Sequence, residues 1–252
     1  MAPRLFYKEG PRLCLRGMEP PNRDALGLAL LSFASGATDV LAFLKLGHLF
    51  TSAMTGNTAL LASAIGQGHV AAAGRSLTAL VGFAFGVALA TVVNAARVGH
   101  SDAPRDPSPL LLLEILFLVG CTALWSARPE PIEGSVLYVV VSLSAVSMGI
   151  QAVAARTVNI SGISTIVFTT VVIRIVSYIT GRVAGPANSA TSLPSIASAL
   201  VAFLAYGCGA LTAGIAASRQ VWLVIWIPVA AVILALAVWE LADKREGRTA
   251  LT

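Results

Sequence analysis

LGLALLSFASGATDVLAFLKL (26–46) is the stretch that decides the fold. It is long enough to cross the roughly 30 Å of bilayer hydrocarbon as a helix, which takes about 20 residues. Its apolar residues do not alternate with polar ones, as an outer-membrane strand requires. Apart from Lys45 near its end, its polar residues, among them Asp39, lie inside the run. Working outward, seven further apolar segments follow: Phe50–Ile65, Gly74–Ala96, Pro109–Ala127, Val136–Ala155, Ile160–Gly181, Ser195–Ala217 and Val221–Leu241. Phe50–Ile65 is short and opens on a polar run, so it reads either as a tilted span or as a re-entrant segment packed inside protein. The fold class expected is therefore all-α, a polytopic integral membrane helical bundle with eight apolar segments. Six of them could be true spans and two short or re-entrant.

Composition agrees. The chain of 252 residues is 56% hydrophobic and 12% charged, about half the charge of an ordinary soluble domain. A soluble globule of this kind would expose large apolar patches and aggregate. The net charge of +5 would suggest nucleic acid in a soluble protein. Here the basic residues sit mostly in tails and loops, where they meet anionic headgroups, so the partner expected is the lipid bilayer and not nucleic acid. Cys14, Cys121 and Cys208 are scattered, with neither a CxxC nor a metal-ligand spacing, and read as small packing residues. No metal site and no cofactor is expected.

Five regions follow: a basic tail (1–25), a first membrane half (26–127), a connecting loop (128–135), a second half (136–241) and a charged tail (242–252). If all segments cross, Arg4, Lys8, Arg12, Arg16, Arg23, Arg75, Arg128, Arg182, Lys244, Arg245 and Arg248 share one side. Only Lys45, Arg97, Arg105, Arg156 and Arg219 lie on the other. This asymmetry places both termini in the cytoplasm of a multi-pass cell-membrane protein, and six spans would give the same orientation.

The two halves look related. A shift of 113 residues lays SFASGATDV (32–40) on AVSMGIQAV (145–153), with Gly36 on Gly149, and FTSAMTGNT (50–58) on ISTIVFTTV (163–171). With a small loop insertion, LVGF (80–83) falls on LVAF (200–203). An even number of spans per half would make the repeat parallel, and three per half would make it inverted.

Gly36-Ala-Thr-Asp39, followed by Met54-Thr-Gly-Asn-Thr58, resembles the YoaK-like family of uncharacterised multi-helix membrane proteins of bacteria and fungi. Met148, Gly149 and Gln151 are similar to the family's second-half element, and Thr165, Thr169 and Thr170 match its Thr-rich stretch loosely. The sequence departs from the pattern at Ala152-Val153 and in lacking a second Thr-Gly at 168–170. The resemblance runs from about residue 26 to 241 and implies a multi-helix inner-membrane fold with no settled substrate.

Function is best sought at intramembrane polar groups, because a charge at the centre of a helix costs about 2.5–3.5 kcal/mol on insertion scales. Asp39 stands alone in its run, either as a proton, cation or substrate site or as a hydrogen-bonding partner of a neighbouring helix end. Arg174 cannot shed its charge and needs an acid or an anion, so a pairing with Asp39 is expected. Glu114, a turn or so into its segment, is expected near the interface and in reach of water. Thr55, Gly56 and Asn57 form a break where Gly56 permits close backbone approach and Asn57 both donates and accepts. A broken helix there would present free N–H groups to an anion. Gln151 completes the candidate substrate- or ion-binding set of Asp39, Thr55, Gly56, Asn57, Arg174 and Gln151. Gly82, Gly86, Gly207, Gly209 and Gly214 read as helix-packing faces, and Trp222, Trp226 and Trp239 as an interface belt.

The function expected is secondary transport of a small solute or ion, proton-coupled through Asp39. The alternative is a non-conducting scaffold or accessory protein. An intramembrane enzyme is disfavoured: Ser35-Gly36 and Ser161-Gly162 lack the leading Gly of a rhomboid-like nucleophile motif, and no helix-borne His accompanies them.

Overall fold

The fold is described here from a computed structural model, which describes residues 23–98, 106–128, 131–158, 173, 176–177, 180, 193–219 and 222–249. Helix α1 (Arg23–Lys45) carries Asp24 in its first turn and Lys45 in its last, each charge opposing the helix dipole at its own end. It stops where Gly47 and His48 take positive φ angles, 92° and 63°, a left-handed turn that glycine adopts without penalty. Helix α2 (Met54–Gly66) follows a non-helical lead-in. A turn at Gly68 (φ 71°) then feeds α3 (Val70–Val98). Helix α4 (Ser108–Ser126) starts on Pro107 and Pro109, and the Ser108 N–H is satisfied by the Asp106 carboxylate at 2.9 Å. Then come α5 (Gly134–Thr157), α6 (Leu193–Ser218), a 3₁₀ turn (Trp222–Trp226) and α7 (Ile227–Thr249).

Among the described residues six helical stretches are long and apolar enough to cross a membrane: Arg23–Lys45, Val70–Arg97, Ser108–Ser126, Gly134–Thr157, Ala197–Ser218 and Trp222–Leu241. At 13 residues, α2 is about 20 Å long and stops well short of a crossing, which decides the Phe50–Ile65 segment in favour of a short helix. Most of Ile160–Gly181 lies outside the described residues.

The packing is organised around α1 and α5. Helix α1 lies against α6 and α7, and α5 lies against α3 and α4. Lighter contacts join α1 to α5 and α4 to α7, and α2 leans on α3. In α1 and α5, 67% of the spanning stretch is buried, against 28% in α3 and 22% in α6. Thus α1 and α5 form the centre, while α3 and α6 turn most of their surface outward. The α1–α6 and α3–α5 pairs close on glycines. A Cβ at Gly36 would strike the Tyr206 carbonyl, and one at Gly209 the Phe33 carbonyl. Gly86 meets the Val146 carbonyl and Gly149 the Phe83 carbonyl in the same way. Backbones approach this closely only where small residues allow it. Gly207, by contrast, faces open space.

Two expectations are corrected. Trp239 is not an interface-belt residue. Its ring covers Gly27, it is 5% exposed, and its indole N–H donates to Asp24 at 3.0 Å, tying α7 to the start of α1. Trp222, 70% exposed, does keep the surface position of a belt residue. Glu114 does not reach water: it is fully buried, because its face of α4 also carries Leu110, Leu111 and Leu118 into the core.

Candidate functional site

The lead-in to α2, residues 46–53, is non-helical backbone partly inside the protein, with His48 exposed. Leu46, Leu49 and Thr51 are buried. Unpaired peptide groups in such a place must find partners, and two intramembrane side chains supply them. Asp39, under two turns before the end of α1, accepts the Thr51 N–H and the Ser52 N–H on Oδ1, both at 2.7 Å. Its Oδ2 accepts the Ser52 hydroxyl at 2.6 Å and the Tyr206 hydroxyl of α6 at 2.9 Å. A longer contact from the Thr51 hydroxyl, 3.4 Å, completes the cluster. Asn57, in the first turn of α2, grips one residue of the same segment from both sides: its Oδ1 accepts the Phe50 N–H at 2.9 Å and its Nδ2 donates to the Phe50 carbonyl. Gly56 leaves room for the Phe50 ring, which stacks on Phe43 with ring centroids 5.4 Å apart. The motif Thr-Gly-Asn thus acts locally, with the glycine seating a ring and the amide clamping its backbone.

The chain shows no break at Thr55, Gly56 and Asn57, which open α2, and the N–H groups of Thr51 and Ser52 just ahead of it are taken up by the Asp39 carboxyl group. A carboxylate hydrogen-bonded by backbone N–H groups is among the stronger polar arrangements in proteins, and Asp39 is fully buried with it.

A second polar seam runs where α1 meets α5. Ser32, Ser35 and Asp39 on α1 repeat the spacing of Ser144, Ser147 and Gln151 on α5, which puts each trio on one helical face. All six are buried. Gln151 spans the crossing: its Nε2 donates to the Leu31 carbonyl at 2.8 Å, and its Oε1 accepts the Ser35 hydroxyl at 3.0 Å. Ser147 instead donates to the Ser144 carbonyl within its own helix.

Of the predicted residues, Asp39, Gly56 and Asn57 gather around the lead-in to α2, and Gln151 lies across the α1–α5 crossing. Thr55 is brought to neither, since its side chain is exposed. Arg174, and with it the predicted pairing to Asp39, lies outside the described residues. Sequence reasoning missed Tyr206, a lone hydroxyl in an apolar run with no local signal. It also missed Ser35 and the paired seam, although Ser32-x-x-Ser35-x-x-x-Asp39 against Ser144-x-x-Ser147-x-x-x-Gln151 is visible in the sequence at a shift of 112 residues rather than 113.

Six helices among the described residues long and apolar enough to span, together with buried polar clusters between them, define the class: a polytopic helical membrane protein. Within that class, the model of a family described as a protein of unknown function, DUF1275, matches residues 27–238, and the chain belongs to that family. It is 34% identical over 207 residues to the UPF0700 transmembrane protein YoaK of Bacillus subtilis (strain 168), a match covering 80% of this chain and 88% of that protein. No solved structure matches.

Proposed function

We propose that this chain is a secondary transporter or permease of a small solute, in which two related halves rock around a site formed by Asp39, Asn57 and the lead-in between them. The observation that carries the reading is the lead-in itself. Non-helical backbone buried at membrane depth is expensive, and in transporters it occurs where helices break around a substrate or coupling ion. Here it is fastened by a carboxylate, and a proton on that carboxylate would weaken at least four hydrogen bonds at once and free the segment. A pH gradient is therefore the natural driving force.

The helix pairing supports the repeat. The first helix of each half, α1 or α5, packs against the last two spans of the other half: α1 against α6 and α7, α5 against α3 and α4. The matched Ser-Ser-Asp and Ser-Ser-Gln faces lie on these two first helices. Three spans in each half among the described residues favour an inverted repeat, the arrangement that exchanges inward- and outward-facing states. On this reading the six spans among the described residues and the Lys and Arg asymmetry point both termini to the cytoplasm and the protein to the cell membrane. The chain acts without a cofactor and is not an enzyme on this reading.

A specific observation favours a second reading, that of a non-conducting scaffold. Asp39 and Asn57 are fully buried and supplied with internal partners, as a purely structural latch would be. Uptake by the purified protein in liposomes, screened across amino acids, sugars, organic acids and inorganic ions under an imposed pH gradient, separates the two. Transport predicts gradient-dependent accumulation of at least one solute class, lost in Asp39→Asn. No accumulation of any class, in a protein that remains folded, supports the scaffold.

A further inference from the structure

Glu114 is a carboxyl that the latch does not use. It lies six residues into α4, about 9 Å along the helix, and is fully buried. Neither of its oxygens has a hydrogen-bond partner among the described residues. The contrast with Asp39, which gathers four close donors, is complete. Its neighbours on the same helical face, Leu110, Leu111 and Leu118, belong to a core cluster with Leu28 and Leu31 of α1, Met148 and Ile150 of α5, and Val229 and Val232 of α7. The helix that carries it belongs to the first half, yet α4 packs mainly on α5 and α7 of the second. Glu114 therefore stands in the surface where the two halves meet.

An ionised carboxylate without a donor in apolar surroundings is held only at great expense, so this packing accommodates the neutral acid. We propose that Glu114 is an exchangeable proton-binding site at the interface between the halves, loaded when the halves are packed as described and emptied when they part and admit water. The proton, rather than a metal ion, is the ligand the surroundings fit. A proton needs one oxygen, whereas a hard cation takes several oxygen ligands, and leucines occupy the flanking turns.

No described titratable or charged side chain is placed to take over the role. On α4 the next such group is Cys121, whose thiol donates to the Val140 carbonyl at 3.5 Å. On α5, the Tyr138 hydroxyl lies beside Gly74 of α3, and Arg156 is exposed in the last turn. On α7, Glu240 is exposed. On α3, Arg75 and Arg97 lie toward opposite ends, Arg75 over Gly47 and Arg97 paired with Asp106 at 3.7 Å. The 3₁₀ turn WLVIW carries none.

The inference rests on the two-half transport reading for its role but not for its chemistry, and the test keeps them apart. Infrared difference spectra of the purified protein in lipid nanodiscs, recorded on changing pH and on exchange into deuterium oxide, report protonated carboxyls directly. The wild type is expected to show, separate from the lower-frequency bands of Asp39 and the hydrated acids, the high-frequency carbonyl band of a carboxylic acid without a hydrogen-bond partner, which titrates reversibly and shifts on deuteration. Glu114→Gln should abolish it completely, Glu114→Asp should keep it with a displaced midpoint, and Asp39→Asn should leave it in place. A band unaffected by Glu114→Gln overturns the proposal. So does a band that neither titrates nor exchanges while the protein is folded, which marks a permanently neutral packing residue. A band removed by sodium or potassium at constant pH as fully as by raising the pH also overturns it, in favour of a cation site. If the band titrates as expected but no solute is taken up in liposomes, the proton site stands and the transport reading falls.

Discussion

Removing the Asp39 carboxylate should release the lead-in to α2 before it disturbs any helix. In Asp39→Ala the Thr51 and Ser52 N–H groups lose the acceptor that now lies 2.7 Å from each, and the Ser52 and Tyr206 hydroxyls lose theirs. The hydroxyls can rotate towards other acceptors, but the two backbone donors cannot. A buried donor left unsatisfied costs about 1–3 kcal/mol, so the pair accounts for roughly 2–6 kcal/mol, a large part of the 5–15 kcal/mol typical of a folded protein. At about 2–4 °C per kcal/mol for a chain of this size, the midpoint of thermal unfolding in detergent should fall by roughly 5–20 °C. Asp39→Asn keeps one carbonyl oxygen for the two N–H groups and loses the charge assistance, so its loss should be about half as large. Tyr206→Phe removes one hydrogen bond and should lose about 1–2 kcal/mol. A double-mutant cycle between positions 39 and 206 should then show coupling, because the two side chains share one bond. Hydrogen exchange read by mass spectrometry localises the effect: peptides covering 46–53 should lose protection first, while α1 and α5 keep theirs. Asp39→Ala within about 0.5 kcal/mol of the wild type, the range of an ordinary surface substitution, with unchanged protection at 46–53, would refute the reasoning.

Other consequences are as direct. Gly36→Leu and Gly149→Leu each drive a side chain into a backbone carbonyl across a helix pair; both should cut the yield of folded protein sharply, whereas Gly207→Leu, facing open space, should express normally. Gln151→Leu removes the side-chain hydrogen bonds that join α1 to α5 and takes the Ser35 hydroxyl's acceptor away, for an expected loss of about 1–3 kcal/mol in a chemical-denaturation series. Glu114→Leu replaces an unpartnered buried carboxyl by an apolar side chain of similar length and should raise stability by about 1–3 kcal/mol in the same series. Trp239→Phe keeps a ring over Gly27 but deletes the bond to Asp24, and should lower the unfolding midpoint by about 2–4 °C, the equivalent of one neutral hydrogen bond.

The spans were readable because their signal is one of length and apolarity, which the bilayer enforces on every segment alike. Gly74–Ala96 became Val70–Val98 and Pro109–Ala127 became Ser108–Ser126; only the ends moved, where capping and loop geometry decide. Asp39, Gly56 and Asn57 were readable as candidates because polar residues in apolar runs need a reason to be there. What they do was not readable. Asp39 binds backbone N–H groups twelve and thirteen residues away, and no pattern of side chains announces a main-chain partner. Tyr206 lies 167 residues from the carboxylate it touches, a contact made only by the packing of α1 on α6. Glu114 was misplaced for a related reason. Its position along α4 suggested an interface, but burial is set by the helices packed around it, and α5 and α7 cover that face.

If the chain is a transporter, the lead-in between α1 and α2 becomes open to each side of the membrane in turn. Ala53, which touches neither Asp39 nor Asn57 through its side chain in the described hydrogen bonds, is the position to probe. In a chain with Cys14, Cys121 and Cys208 replaced, Ala53→Cys should react with a membrane-impermeant thiol reagent applied from either side of oriented proteoliposomes, with the favoured side changing when the pH gradient is reversed. Reactivity from one side only, or from neither, under every gradient would contradict the account.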